Sequence, residues 1–282
     1  MMLRSPTRRA RGLEPLAAKV PEITVLFWVI KILTTGMGEA MSDFLGQTSV
    51  PLAALIGVFG TIYAFRLQLR RREYHAPTYW FTVMMVAIFG TMAADGLKDG
   101  AGLSYAVTTP FFAAVVGVIF YKWHRAEGTL DIHSITTRRR ENYYWAAVLA
   151  TFALGTAAGD LTAIELNWGF FPSALLFGGV IAVPMVGWWR FGLNPVVAFW
   201  AAYVVTRPLG ASFADWFSKP HGQSGLGLGD GTVSAIELVI FIGLVAYTAV
   251  RRGDIQGPGG PSPRLHTAHQ PARPLQAQPA EG

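Results

Sequence analysis

Residues 145–160 read WAAVLATFALGTAAGD, and the same frame recurs as WVIKILTTGMGEAMSD at 28–43, WFTVMMVAIFGTMAAD at 80–95 and WAAYVVTRPLGASFAD at 200–215. In each copy a Trp is followed ten residues later by Gly and fifteen residues later by Asp. The chain has only eight Asp and nine Trp in 282 residues, so half of the Asp stand at one fixed distance from a Trp. Chance does not produce that. Successive copies start 52, 65 and 55 residues apart, which makes this a tandem repeat with connections of variable length. Each copy lies in an apolar stretch long enough to cross a bilayer, so every repeat carries one carboxylate in or near the membrane.

Composition agrees. Apolar residues make up 52% and charged residues 14% of the chain, against about 25% charged in a typical soluble domain. Mean hydropathy is +0.36. The absence of Cys removes disulfides, thiolate metal sites and Cys catalysis. The basic segment Met1–Lys19 has no apolar core of its own, so no cleaved signal peptide is expected.

Eight apolar segments are predicted, at about 22–45, 51–69, 77–97, 104–122, 143–163, 169–190, 195–217 and 231–250. They pair into repeats of about 20–72, 73–140, 141–193 and 194–250, with the Trp-Gly-Asp frame always on the first helix. Residues 1–19 are expected to form a disordered basic tail and residues 251–282 a disordered Pro/Gly-rich one. The fold class is therefore an all-α, eight-span integral membrane protein. Most of the 23 Lys and Arg fall in the tails and the inter-repeat connections, as at Arg70–Arg72 and Arg138–Arg140. Excess basic charge marks the cytoplasmic side, which predicts both termini inside. These runs read as topology signals, and no nucleic-acid partner is expected; the partners are the lipid bilayer and a small ion or solute. Four repeats of two spans share one orientation, so a parallel, pseudo-fourfold arrangement follows. Fifteen helical residues rise about 22 Å, placing each Trp near the inner face and each Asp near the outer one.

Residues four apart share a helix face. The stripes ending at each Asp are Lys31, Thr35, Glu39, Asp43; Ala87, Thr91, Asp95; Phe152, Thr156, Asp160; and Arg207, Ala211, Asp215. Gly and Ala crowd the same helices and permit close backbone approach. The Trp are expected to act as interfacial anchors. An ordinary interfacial role for the Asp competes with a functional one. A carboxylate at a helix C-terminus nevertheless opposes the macrodipole, and an end cap does not require the same residue four times. Lys31 and Arg207 lie deeper, as intramembrane counter-charges that each need a partner. Glu237 is a further candidate for a buried acid.

The chain resembles a bacterial family of multi-pass proteins built from four tandem two-helix repeats of unknown function. The resemblance rests on Phe27-Trp28 with Gly38-Glu39 and Asp43, and on Tyr79-Trp80 with Gly90-Thr91 and Asp95. It continues through Tyr144-Trp145 with Gly155-Thr156 and Asp160, and Phe199-Trp200 with Arg207-Pro208 and Gly210. It covers about residues 20–250 and implies eight helices in a bacterial membrane, with no activity attached.

Function therefore rests on the residues. The leading expectation is an inner-membrane transporter or exchanger of a hard cation (proton, Na⁺, Mg²⁺, Ca²⁺ or Mn²⁺). Oxygen ligands without Cys or intramembrane His favour these ions. Asp43, Asp95, Asp160 and Asp215 would form the site and are the candidate metal ligands, with Glu39, Thr35, Thr91 and Thr156 assisting. Asp95 and Asp160, with only Thr hydroxyls nearby, are expected to be the most sensitive to loss of charge. A second expectation is an anionic solute bound by Lys31 and Arg207. A third is a non-transporting scaffold or sensor. No enzymatic activity and no cofactor are expected.

Overall fold

The computed structural model describes residues 18–256. Eight long helices are found among them and no strand: α1 (Val25–Thr48), α2 (Val50–Arg70), α3 (Ala76–Asp95), α4 (Tyr105–Glu127), α5 (Arg138–Asp160), α6 (Phe170–Phe191), α7 (Pro195–Ser218) and α8 (Asp230–Arg251). All eight are long and apolar enough to cross a membrane. The two expected tails fall mostly outside the described residues. Where they are described they are ordered: Lys19 is buried against Glu141 at 2.6 Å, and Asp254 accepts a hydrogen bond from Tyr74 at 2.6 Å. Lys19, the last residue of the expected N-terminal tail, is thus held by a buried carboxylate partner.

The two helices of a repeat are built differently. Thr24, His75, Thr137 and Asn194 cap the N-termini of α1, α3, α5 and α7 with a side-chain acceptor for an otherwise orphaned N–H. None of α2, α4, α6 and α8 has such a cap. The capped helices lie inside: 56–67% of their apolar windows is buried, against 22–28% for the even ones. The even helices thus present apolar side chains outward, as a lipid-facing layer requires.

The capped helices form a ring. α1 packs on α3, α3 on α5, α5 on α7, and α7 returns to α1. The Gly of the repeat is what allows it. Gly38 lies against Ala87, Gly90 against Phe152, Gly155 against Arg207, and Gly210 against Thr35. Each repeat Gly meets the residue seven places after the Trp of the next repeat, and the fourth meets the first. A Cβ at any of them would collide with the neighbour. The even helices follow the same handed order, with α2 on α3, α4 on α5, α6 on α7 and α8 on α1.

One end of the ring is filled with aromatic side chains. Trp80, Trp145 and Trp200 are 1–5% exposed and pack with Phe27, Tyr79, Tyr144, Phe199 and Tyr203. For these three this corrects the expectation of interfacial anchors at the helix starts; Trp28 is half-buried. The three start helices that are interior, and their rings pack on aromatic residues of the adjacent repeats: Trp80 on Phe27, Trp145 on Tyr79 and Trp200 on Tyr144.

Candidate functional site

Beyond the aromatic plug, the axis carries charge. Lys31 lies first, 1% exposed, with its ammonium 3.9 Å from the Phe152 ring centroid and 4.3 Å from that of Tyr203. Its Nζ has no hydrogen-bond partner among the described residues. Lys31 therefore faces the interior as expected, but its neighbours are ring faces and not a carboxylate.

One to two turns further on, Arg207 and Glu39 meet. Arg207 Nη2 donates to Glu39 Oε2 at 2.7 Å and to Thr156 Oγ1 at 2.8 Å, and also to Thr91 Oγ1. Its Nη1 donates to the Thr35 carbonyl at 2.6 Å. Thr91 and Thr156 each donate to Glu39 Oε2 at 3.2 Å. All four repeats thus contribute to one buried, hydrogen-bonded layer. Thr91 and Thr156, expected to assist the site together with Glu39, hydrogen-bond to the Arg207–Glu39 pair.

The four Asp lie beyond that layer, at the C-terminal ends of the capped helices. They line a single cavity of about 650 Å³, together with Glu39, Tyr105, Asp99 and Lys219. Asp160 and Asp215 are 7% and 3% exposed, while Asp43 and Asp95 are half-buried. Carboxylate oxygens of Glu39, Asp43 and Asp215 all lie within 4.8 Å of one another. Oxygens so spaced fit around one hard cation with metal–oxygen distances of about 2.0–2.6 Å. Asp215 Oδ1 is buried without a hydrogen-bond partner. Short π-helical turns follow Asp95 and Asp160, at Gly96–Gly100 and Leu161–Glu165. They widen the backbone where the cavity opens, and such turns concentrate at functional sites.

Lys219, the residue after α7, is not among the expected site residues. It belongs to the site. Its ammonium pairs with Asp43, lies 3.1 Å from Asp230 Oδ1 and 3.8 Å from Asp215 Oδ1. Burial works against its charge, but the carboxylates of Asp215 and Asp43 outweigh that and hold its pKa above the ordinary lysine range. Asp230, at the start of α8, was also missed; Gln47 donates to its Oδ2 at 2.6 Å. A signal was available in the spacing, because Lys219 follows Asp215 by four residues and so shares its face. Glu237 lies elsewhere, against Gly36 at the contact of α8 with α1.

Fold and buried charges together define a multi-pass membrane bundle of four tandem two-helix repeats. The family model described as Repeat of Unknown Function (DUF347) matches residues 26–74, 78–129, 143–193 and 198–254, and the chain belongs to that family. No curated protein and no solved structure matches the chain.

Proposed function

We propose that the protein moves a hard cation across a bacterial inner membrane, as a transporter or exchanger, with the Asp of its four repeats forming the entry site. The observation that carries this reading is the convergence of Glu39, Asp43 and Asp215 in a cavity that all four repeat Asp line, with one buried Asp215 oxygen unpartnered. A buried carboxylate oxygen without a partner costs free energy that a bound cation would offset. With the basic connections on the cytoplasmic side, the cavity faces outward and the ring stands parallel about the membrane normal. The Arg207–Glu39 layer and the aromatic plug close the path inward, so transport requires that floor to rearrange.

An anionic solute at Lys31 and Arg207 is the weaker reading. Arg207 already donates to four oxygens, and neither residue lines the cavity. The test is flux in proteoliposomes of the purified full chain, with Na⁺, Mg²⁺, Ca²⁺, Mn²⁺ and a proton gradient offered separately. Flux of at least one of them, reduced in Asp215→Asn, is expected. No flux of any cation would remove the proposal.

A further inference from the structure

Resting on that reading of the cavity, we infer that Lys219 is a tethered cation that occupies the divalent-ion site and must leave for the ion to enter. The ammonium of Lys219 stands among Asp43, Asp215 and Asp230, and Asp43 and Asp215 are two of the three residues able to surround an ion. A lysine ammonium carries three donors on a flexible four-carbon stem, so it can fill a cation position and swing out of it. It cannot fill the position completely. It bonds to Asp43 and Asp230, whereas Asp215 Oδ1 is left at 3.8 Å without a hydrogen bond. Glu39 is held by Arg207 and the two threonines and does not contact the ammonium. With Glu39 paired to Arg207 and Asp43 to Lys219, the Asp215 carboxylate is the member of the set left without a hydrogen-bonded cation. A divalent ion would engage Glu39, Asp43 and Asp215 together, which selects Mg²⁺, Mn²⁺ or Ca²⁺ over Na⁺ as the ligand.

The backbone around Lys219 makes its departure a loop event. Its carbonyl accepts from Gly227 N at 2.8 Å and is packed against by Gly225. Leu226, Leu228 and Gly229 fold back as donors to the carbonyls of Trp216, Phe217 and Ser218. Asp230, the third carboxylate on the ammonium, is the first residue of α8. Lys219 therefore ties α1, through Asp43, to both ends of the α7–α8 connection. Exchange of the ammonium for an ion releases that tie, so occupancy of the site is transmitted to the outer connection. Lys219 is a specificity-determining residue in this scheme, because the ion must outcompete a group that cannot diffuse away.

The test is Mn²⁺ binding to the purified full chain in detergent, measured by the loss of the free-ion paramagnetic resonance signal. Wild type, Lys219→Met, Lys219→Gln, Lys219→Arg and Asp215→Asn are compared, with thermal unfolding of each as a check on folding. Removing the internal competitor should tighten Mn²⁺ binding at least about tenfold in Lys219→Met and Lys219→Gln. Lys219→Arg should stay near wild type and Asp215→Asn should weaken. A nitroxide on Gln223→Cys reports the loop, since the chain has no other Cys. Mn²⁺-bound and diamagnetic Mg²⁺-bound states should change its mobility in wild type and leave it unchanged in Lys219→Met. Binding that is equal or weaker in folded Lys219→Met and Lys219→Gln would overturn the tethered-cation inference while leaving the cation site standing. No Mn²⁺ binding in any variant would overturn the site itself, and the inference with it.

Discussion

Arg207 on α7 and Glu39 on α1 form a buried ion pair, Nη2 to Oε2 at 2.7 Å, that joins the last repeat to the first. Neither residue has a like-charged counterpart in the other repeats. Eleven residues after the Trp stand Glu39, Thr91, Thr156 and Ala211; seven after it stand Thr35, Ala87, Phe152 and Arg207. Arg207 reaches one turn along the axis to enter the layer above its own, where the small Ala211 leaves its own helix without a polar group. The ring is symmetric in backbone and asymmetric in charge.

That asymmetry sets the first prediction. Truncating one partner of a buried pair leaves the other charge uncompensated and costs about 3–5 kcal/mol. Arg207→Met should therefore lower the thermal unfolding midpoint in detergent substantially, and Glu39→Met Arg207→Met should recover most of the loss. If the double variant is no more stable than the worse single one, the pair is not what stabilises the layer.

A second prediction concerns ring closure at Gly210. A Cβ there would lie 2.8 Å from the Ile32 carbonyl oxygen and 2.9 Å from Thr35 Cβ, both on α1. Backbone cannot yield as a flexible side chain can, so Gly210→Ala should cost about 1–3 kcal/mol as overpacking. Gly243 on α8 meets nothing within 4 Å, and Gly243→Ala should be neutral or slightly stabilising. Equal tolerance at the two positions in the same unfolding measurement would contradict the α7–α1 contact.

Apolar segment length and the repeat frame were enough to read the eight helices and their pairing into four repeats. Period and composition act within one helix, and they carry that much. They do not say which neighbour a helix packs on, so the role of the repeat Gly as a seat for the next repeat was out of reach. Lys31 and Arg207 were recognisable as buried, since an isolated charge in an apolar helix has few alternatives. Their partners were not, because Glu39 and the ring of Phe152 come from other repeats. Lys219 lies just past the end of α7, in the connection to α8. Its side chain runs back along the last turn of α7 into the cavity, a direction that chain position alone does not give.

A third prediction tests the end of the molecule with the aromatic plug. Between α4 and α5, His133 Nδ1 lies 2.8 Å from Asp131 Oδ1, and its Nε2 lies 3.4 Å from Glu22 Oε1 before α1. The hydrogen bond to Asp131, partly opposed by burial, holds the His133 pKa above its ordinary 6.5. A raised folded-state pKa means stability that is present in full below about 6.5 and is lost as pH rises through the folded value. The group is about a third exposed, so the contribution is about 1 kcal/mol or less. His133→Ala should lower the unfolding midpoint at pH 6 more than at pH 9. The same decrement at both pH values would mean that the charge on His133 contributes nothing.

The last prediction separates the four repeat Asp. All line the cavity, and Glu39, Asp43 and Asp215 form the group whose carboxylate oxygens all lie within 4.8 Å of one another. Helix periodicity favours Asp95 and Asp160 as the sensitive pair, because their own helices offer no competing charge. The geometry reverses that order, since the charges that matter come from neighbouring helices. Asp43→Asn changes two things at once, as Asp43 also holds Lys219. Asp215→Asn is cleaner: it removes one ligand charge and leaves the Lys219 contacts to Asp43 and Asp230 in place. Folding should not suffer, because removing a negative charge from the C-terminal turn of α7 relieves the macrodipole by about 0.3–1 kcal/mol. Cation flux into proteoliposomes should therefore fall most in Asp215→Asn, next in Asp43→Asn, and least in Asp95→Asn and Asp160→Asn, all at matched protein abundance. Abundant Asn variants that all transport at the wild-type rate would show that the four Asp only end their helices, and that the cavity serves something other than a cation.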